Sequence, residues 1–218
     1  LALGVQRMAR NNALVRKLPS VETLGSCDVI CTDKTGTLTH NEMTVRKLFV
    51  NNEVVELSGS GYNPEGRFSK QSKELFKLLQ IGALNNNSKL RHENSSWHAT
   101  GDPTEAALIV SARKAKLDIE KLHSAYPRIH EIEFTSERKV MTTIHKEGQK
   151  RVAFTKGAPE IVLNLCNYIL INGEVKRLTK TERKKILEAN DDFAEEALRV
   201  LAFAYKYTDN VSTTEKDM

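Results

Sequence analysis

The spacing of apolar residues separates a short N-terminal part from a longer part rich in short elements. Residues 1–18 place apolar and polar side chains on opposite faces, which predicts a helix that Pro19 ends. The polar face of this helix is basic, with Arg7, Arg10, Arg16 and Lys17. The β-branched run 27–32 predicts a strand buried on both faces, as in a parallel sheet, with Asp33 at its carboxyl end.

The pattern of apolar and polar residues changes near residues 43–46, where we expect a domain boundary. Beyond it, short alternating segments are separated by turns, and the polar tract NNNSK and the glycines of GSGYNPEG are interpreted as turns. Amphipathic helices are predicted over 72–84 and 101–116. The second has Asp102 as its N-cap and Glu105 three residues later, which is typical of a helix start.

The remaining apolar runs predict four strands, a hairpin turn at Asn172–Gly173 and one long helix. The strands are expected at 128–134, 139–145, 151–156 and 199–205, the second and third joined across Glu147–Gly148. A capping box of Thr179 and Glu182 begins the helix, which is expected to run to about Leu198. Because helices and strands do not alternate regularly, the predicted fold class is α+β, with an antiparallel sheet flanked by helices.

The amino-acid composition restricts the class of protein but does not indicate a function. The chain has 218 residues, 39% of them hydrophobic, which is enough for a core. No apolar run approaches the ~18 residues that span a bilayer, and the N-terminus has no signal-peptide pattern. A net charge of +5 permits an anionic partner. Nucleic acid is not expected, because the few aromatic residues are not interleaved with lysine and arginine.

Three cysteines, Cys27, Cys31 and Cys166, do not pair evenly. Cys27 and Cys31 also lack a matching pair of ligands elsewhere that would complete a zinc site. The cysteines are therefore interpreted as reduced thiols that serve as small buried residues.

The loop after the predicted strand contains groups suited to phosphoryl transfer. A carboxylate at Asp33 can attack phosphorus and form an acyl phosphate, while Lys34 offsets the repulsion between the two negative groups. Gly36 allows a tight turn, and Thr35 and Thr37 supply oxygen ligands. The alternative is that Asp33 only caps a turn, since Asp, Thr and Gly are common in loops.

Thr35 also matters for the class of enzyme. Many phosphohydrolases with this kind of loop carry a second aspartate two residues after the nucleophile, which serves as acid and base. Thr35 occupies that position here, so a phosphorylated intermediate is expected to be hydrolysed slowly. A soluble Mg²⁺-dependent phosphatase is thus a weaker interpretation than an enzyme that keeps its phosphorylated state.

The seven residues DKTGTLT, 33–39, resemble the phosphorylation signature of the P-type ATPases, the ATP-driven ion pumps. The resemblance to type II cation pumps continues through residues 18–45. The segments GSGYNPEG, GDPTEAAL, FTSERKVM, FTKGAPE and LRVLAFA then follow in the order of the family's nucleotide-binding domain. GYNPEG and FTSERKVM resemble calcium pumps more than sodium/potassium pumps.

The resemblance implies an ATP pocket. Phe134 is similar to the aromatic residue that stacks on adenine, and Lys156 with Gly157 is similar to the segment that lines the same pocket. Glu105 resembles the acid that accepts a hydrogen bond from the adenine amino group, although its position also fits a helix cap.

The resemblance also implies the groups that act on phosphate. Lys139 and Arg199 are similar to the cations that hold the phosphate chain, where the alternative for each is an ordinary solvated charge. Asp33 would receive the γ-phosphate, and Asp33 and Thr35 would bind Mg²⁺. Ser136 departs from the arginine of animal muscle calcium pumps, so one phosphate contact could weaken or shift to Arg138.

The implied organisation has three parts. Residues 1–19 resemble the stalk helix after the fourth transmembrane segment, 20–44 the start of a haloacid-dehalogenase-like α/β phosphorylation domain, and 45–218 the nucleotide-binding domain inserted into it. The expected partners are ATP and the remaining transmembrane, actuator and phosphorylation domains of a pump at the cytoplasmic face of a membrane. The family's later catalytic lysine and metal-binding aspartates, and the last strand and hinge of the nucleotide domain, are expected beyond Met218. This piece alone is expected to bind ATP without turnover, and a stand-alone ATP-binding module is the alternative.

Overall fold

The computed structural model describes residues 2–34, 36–93, 95–208, 214–215 and 218. The chain divides into two compact units, residues 1–41 and residues 42–218. Within the described residues, no helix is both long enough and apolar enough to cross a membrane.

The described residues of the first unit form two short helices, α1 (Ala2–Arg10) and α2 (Pro19–Gly25). The single helix predicted over 1–18 is therefore too long. The chain leaves the helix because Asn12 adopts a left-handed φ of 61°, and the Ala13 amide then donates to the carbonyl of Met8. This is a common way to end a helix, and Pro19 begins the next one rather than ending the first.

The strand predicted at residues 27–32 is also wrong. These residues form no ladder, and Val29 and Ile30 are 78% and 75% exposed. A strand of a parallel sheet needs a hydrogen-bonded neighbouring strand and a layer of helices on each face, and the described residues of the first unit contain no strand. Asp33 therefore does not lie at the carboxyl end of a strand.

The three cysteines are free, in agreement with the expectation of reduced thiols. Their expected burial is wrong for Cys27 and Cys31, which are exposed because the segment around them packs against no sheet. Cys166 is mostly buried, and burial raises the pKa of its thiol to about 11. A thiol with so high a pKa is almost entirely protonated at neutral pH and reacts slowly.

In the part of residues 42–218 that the structure describes, ten strands and five helices follow one another. They are β1 (Lys47–Val50), β2 (Glu53–Glu56), α3 (Lys73–Leu84), β3 (Lys89–Glu93), β4 (Ser96–Thr100), α4 (Pro103–Lys114), α5 (Ile119–Ala125), β5 (Arg128–Ile132), β6 (Val140–Glu147), β7 (Lys150–Gly157), α6 (Pro159–Leu165), β8 (Tyr168–Ile171), β9 (Glu174–Arg177), α7 (Lys180–Glu195) and β10 (Ala202–Tyr207).

A four-stranded antiparallel sheet with the order β10-β7-β6-β5 forms the centre of this unit. The described residues of this unit also form three two-stranded antiparallel pairs: β1 with β2, β3 with β4, and β8 with β9. The predicted α+β class with an antiparallel sheet flanked by helices is confirmed. The β6–β7 hairpin and the turn at Asn172–Gly173 are where the sequence predicted them, and both turn residues of the latter have positive φ.

The two faces of the central sheet pack against different helices. On one face, Val152 and Phe154 of β7 contact Ile81 and Leu84 of α3. Phe154 is fully buried, and burial of a side chain of this size contributes roughly 1.5–3 kcal/mol to stability. On the other face, Val140 of β6 joins a cluster that includes residues of α6 and β10. The sheet is therefore covered on both sides.

The helix starts follow the predicted caps. The Asp102 carboxylate accepts from the amides of Thr104 and Glu105 at the start of α4. Thr179 and Glu182 form the complete capping box of α7. This helix ends at Glu195, three residues before the predicted Leu198, and the last strand begins at Ala202 rather than 199.

The early end of α7 has a local cause. Ala197 takes a left-handed φ of 58°, and the amide of Leu198 reaches back to the carbonyl of Phe193. These are the features of a left-handed helix stop.

His145 of β6 is a fully buried titratable group. Its Nδ1–H donates to the backbone carbonyl of Tyr126 over 2.8 Å, and its Nε2 lies 2.9 Å from the hydroxyl of Thr143, which can donate to it. Burial lowers the pKa of His145 from 6.5 to about 4, and the nearby charges of Arg128 and His123 act in the same direction. The imidazole is therefore neutral in the folded protein at physiological pH.

We predict that acid destabilises the second unit through His145. Because the folded-state pKa is lower than the unfolded-state pKa, this contribution is fully present above pH 6.5. It is lost as the pH falls toward 4, by up to about 3 kcal/mol. Urea unfolding of the wild type and of His145→Gln between pH 7.5 and 4.5 measures it. The stability advantage of the wild type should shrink with acid, and parallel pH profiles would contradict the prediction.

Candidate functional site

One edge of the central sheet gathers most of the residues singled out from the sequence. At this edge β5 and β7 end, and β6 and β10 begin. The register pairs Gly157 with Val140 of β6 and with Ala202 of β10. Residues 133–139, which connect β5 to β6, therefore lie next to the end of β7. The first turn of α4 reaches the same edge, since Arg199 donates to the Thr104 hydroxyl over 3.0 Å.

Lys156 and Glu105 form an ion pair at this edge. The ammonium of Lys156 donates to Glu105 Oε1 over 2.5 Å and to the backbone carbonyl of Asn85 over 2.6 Å. The two side chains are only 9% and 14% exposed. Burial lowers the pKa of Lys156, and the charge of Glu105 acts against this. Removing one partner would leave a buried charge without compensation, which typically costs about 3–5 kcal/mol.

Glu105 thus has a role besides its place near the helix cap. The cap is formed by Asp102, whereas the Glu105 carboxylate points to Lys156 and to the amide of Asn87, from which Oε2 accepts over 2.9 Å. Both oxygens have a protein donor, and each keeps a lone pair for another. The geometry makes Glu105 a fixed hydrogen-bond acceptor.

The tract Asn85–Ser88, which the sequence pattern presents as a simple turn, organises the site. Asn85 is fully buried, and its Nδ2 donates to the carbonyls of Met141 and Phe154 in β6 and β7. Asn86 donates to the backbone carbonyl of Glu105. Three consecutive amide side chains directly after an apolar helix are the sequence signal that could have revealed this role.

Only glycine fits at position 157 because neighbouring protein atoms leave no room for a Cβ atom. The lack of a side chain is thus explained without a ligand. A Cβ atom there would lie 2.3 Å from the carbonyl oxygen of Lys139 and 2.5 Å from a methyl group of Val140. The same carbonyl accepts from the amide of Ala158. Any side chain at Gly157 would push the connection between β5 and β6 away from β7.

The other predicted binding residues are exposed. Phe134 is 58% exposed, which is unusual for so large an apolar side chain and leaves its ring available for stacking. Lys139 and Arg199 are also exposed, at the same edge. Lys139 adopts a φ of 56°, so the chain turns sharply before β6.

From the sequence, Arg138 is the residue to which the phosphate contact that Ser136 cannot make could shift. Its guanidinium is already bound by protein groups. Its guanidinium donates to the carbonyl of Glu133 and to the Glu215 carboxylate, which also accepts from Thr142. Both ends of the guanidinium are therefore engaged by protein groups. Ser136 itself is exposed.

Strand β5 contains a bulge beside the site. The register shifts between Arg128, which pairs with His145, and His130, which pairs with Ile144. Residues three apart in a regular strand point to opposite faces. The extra residue, Ile129, brings Arg128 and Glu131 onto one face, where they form an ion pair of 2.8 Å.

The residues predicted to carry phosphoryl transfer lie in the first unit. Asp33 and Lys34 are exposed, and Thr35 lies outside the described residues. Among the described residues of the whole chain, no group of three or more His, Cys, Asp or Glu side chains is arranged to hold a metal ion. The metal-binding role predicted for Asp33 and Thr35 therefore stays a prediction.

The second unit also has a mainly apolar groove of about 700 Å³. Its wall includes residues of β1, α7 and β10. Thr104 and Arg199 also line it, whereas Glu105, Phe134 and Lys156 do not. The groove therefore meets the site described above at Thr104 and Arg199, but it does not include the buried ion pair or the Phe134 ring.

The family described as the P-type ATPase cytoplasmic domain N matches residues 74–218. A cation-transporting ATPase of Synechocystis is 42% identical over 219 aligned residues, covering 94% of this chain and 24% of that protein. Calcium-transporting ATPases of Listeria monocytogenes and Bacillus subtilis are 41% and 40% identical, covering 94% and 100% of this chain and 22% and 26% of theirs.

The chain thus spans about a quarter of the length of these relatives. Identity at this level over nearly the whole chain, together with a family match to more than half of it, settles the relationship. The chain belongs to the P-type cation-transporting ATPases, and residues 74–218 match their cytoplasmic domain N.

Proposed function

We propose that residues 42–218 bind ATP and that the chain is part of an ATP-driven cation pump in which Asp33 accepts the γ-phosphate. The observation that carries the binding proposal is the Lys156–Glu105 ion pair, largely buried at the sheet edge that also presents the exposed Phe134 ring. A fixed acceptor, a flat apolar ring and exposed cations are the groups that a nucleotide requires.

The base would be held by Phe134 and Glu105. The exposed ring of Phe134 can stack on the flat face of adenine. The Glu105 carboxylate, held by Lys156 and the Asn87 amide, can accept a hydrogen bond from the adenine amino group. Lys156 is taken up by two protein acceptors, so its proposed role is to fix Glu105 and to line the pocket.

The phosphates would lie toward Lys139 and Arg199, which are exposed at the same edge. Arg199 is oriented by its hydrogen bond to Thr104, and an arginine held in this way can give two parallel hydrogen bonds to phosphate oxygens. Arg138 is engaged with Glu215 and is left out of the proposed site.

The proposed chemistry of Asp33 rests on the DKTGTLT motif and on membership of the family. A carboxylate oxygen of Asp33 would attack the γ-phosphorus, form an acyl phosphate and release ADP. Lys34 would reduce the repulsion between the carboxylate and the phosphate oxygens, and Gly36 would allow the loop to approach them. Mg²⁺, with Asp33 and Thr35 as candidate ligands, would neutralise phosphate charge when bound.

The proposed organisation follows the sequence. Residues 1–19 would be the stalk below the fourth transmembrane segment, 20–44 the first part of a haloacid-dehalogenase-like phosphorylation domain, and 45–218 the inserted nucleotide-binding domain. The transmembrane and actuator domains and the rest of the phosphorylation domain would complete the pump at the cytoplasmic face of its membrane. Calcium is the proposed ion, because the two relatives from Listeria monocytogenes and Bacillus subtilis are named calcium-transporting ATPases.

We predict that this chain binds ATP with micromolar to millimolar affinity, roughly 4–8 kcal/mol. Phe134→Ala should weaken binding by about tenfold or more, since stacking of a base on an aromatic ring contributes roughly 1–3 kcal/mol. ATP titrations followed by amide NMR shifts measure both. Tyr168→Ala, which removes an exposed ring on β8, is the matched control and should bind as the wild type does. Equal affinities for the wild type and Phe134→Ala would exclude the proposed stacking.

We also predict that Asp33→Asn in the full-length pump abolishes phosphorylation and transport while ATP binding is kept or slightly strengthened. The amide is a far poorer nucleophile than the carboxylate and no longer repels the γ-phosphate. Membranes containing the wild type and the variant should be assayed for acid-stable phosphoenzyme and for ATP-driven ion uptake. A variant that still pumps would rule out the aspartyl-phosphate mechanism.

A further inference from the structure

We propose that Arg128 is a positioning residue that gives the nucleotide site its selectivity for a base with an exocyclic amino group. It would do so together with Glu131 and Asn87, by fixing the Glu105 carboxylate. The inference rests on the proposed ATP site and extends it to residues outside the pocket.

The bulge in β5 brings Arg128 and Glu131 onto one face. Because Ile129 is the extra residue, Arg128 and Glu131 share the face of the sheet that packs against α3. Without the bulge they would point to opposite faces and could not act on one group. Ile129 itself is 46% exposed, so the bulge is not explained by burial of its side chain.

Arg128 and Glu131 form a clamp that holds the side-chain amide of Asn87. Arg128 donates to Asn87 Oδ1, and Asn87 Nδ2 donates to Glu131 Oε1 over 2.8 Å. Both ends of the Asn87 amide are therefore held by β5. The backbone amide of the same residue donates to Glu105 Oε2, so the clamp determines where this donor lies.

Arg128 also holds the end of α3. The other guanidinium nitrogen of Arg128 donates to the carbonyls of Leu84 and Asn86. This fixes the path of the chain through Asn85, whose carbonyl accepts from Lys156. One guanidinium thus supports both groups that hold Glu105, the Lys156 ammonium and the Asn87 amide.

A Glu105 carboxylate that is held in place would give the site a preference among nucleotide bases. A carboxylate held in one orientation accepts hydrogen bonds but donates none. It would favour adenine, which presents an amino group, over hypoxanthine, which presents a carbonyl oxygen at the same position. A loosened carboxylate could turn to solvent, and the preference would fall.

The test compares ATP with inosine triphosphate. Dissociation constants of both are measured by NMR titration for the wild type, Arg128→Gln and Arg183→Gln. Arg183 is a matched control because it, too, donates to the last carbonyl groups of a helix to which it does not itself belong. It donates to the carbonyls of Leu163 and Cys166 at the end of α6, but it has no contact with Glu105.

The wild type should prefer ATP by about tenfold or more, as expected for a hydrogen bond to a charged group. In Arg128→Gln the ratio should fall toward one, whereas Arg183→Gln should keep the wild-type ratio even if its thermal stability is lower. Glu131→Gln keeps the shape of the clamp and loses its charge, so it should reduce the ratio partially. It also serves as the test variant if Arg128→Gln does not fold.

Two results would overturn the proposal, and they differ. If the wild type prefers ATP and Glu105→Gln loses the preference, but Arg128→Gln and Glu131→Gln keep it, the positioning role is wrong and the ATP site stands. If the wild type binds neither nucleotide, or if Glu105→Gln leaves the ratio unchanged, the assignment of Glu105 in the proposed function fails, and the positioning role fails with it.

Discussion

The arrangement of the candidate site depends on how the largely buried ammonium of Lys156 is satisfied. A lysine in this position is unfavourable unless acceptors surround it, because burial penalises its charge. The structure supplies a carboxylate from α4 and a carbonyl from the chain after α3. Helices α3 and α4 and strand β7 must therefore meet at one point, and the position of Glu105 follows from the need to neutralise Lys156.

Two arginines extend this arrangement to the rest of the second unit. The last four carbonyl groups of a helix have no hydrogen-bond donor within that helix. Arg128 and Arg183 each donate to such carbonyls at the end of one helix, and each arginine belongs to an element later in the chain than that helix. Arg128 does so for α3, and Arg183 does so for α6. These two helices lie on opposite faces of the central sheet. The arginines thus connect the covering layers to β5 and α7, and of these two only Arg128 is also linked to the candidate site.

The sequence predicted features with local causes and missed those that depend on distant residues. Asp102 caps α4 through amides two and three residues away, and the capping box at Thr179 is equally local, so both were predictable. The burial of Asn85 depends on carbonyls 56 and 69 residues later, and no local pattern reveals it. The bulge at Ile129 is visible only in the register with β6. The run 27–32 has the composition of a buried strand, but composition does not supply the neighbouring strands and covering helices that such a strand needs.

The proposed site divides into a buried part and an exposed part with different physical demands. Glu105 and Lys156 are held by protein groups on several sides, so their geometry exists before a nucleotide arrives and little ordering is required on binding. Phe134 and Lys139 are exposed and lose side-chain freedom when they contact a ligand, whereas the exposed Arg199 is already partly ordered by its hydrogen bond to Thr104. Changes in the buried pair should therefore alter stability and base preference together. Changes in the exposed residues should alter affinity with little effect on the fold, because few of their contacts support the core.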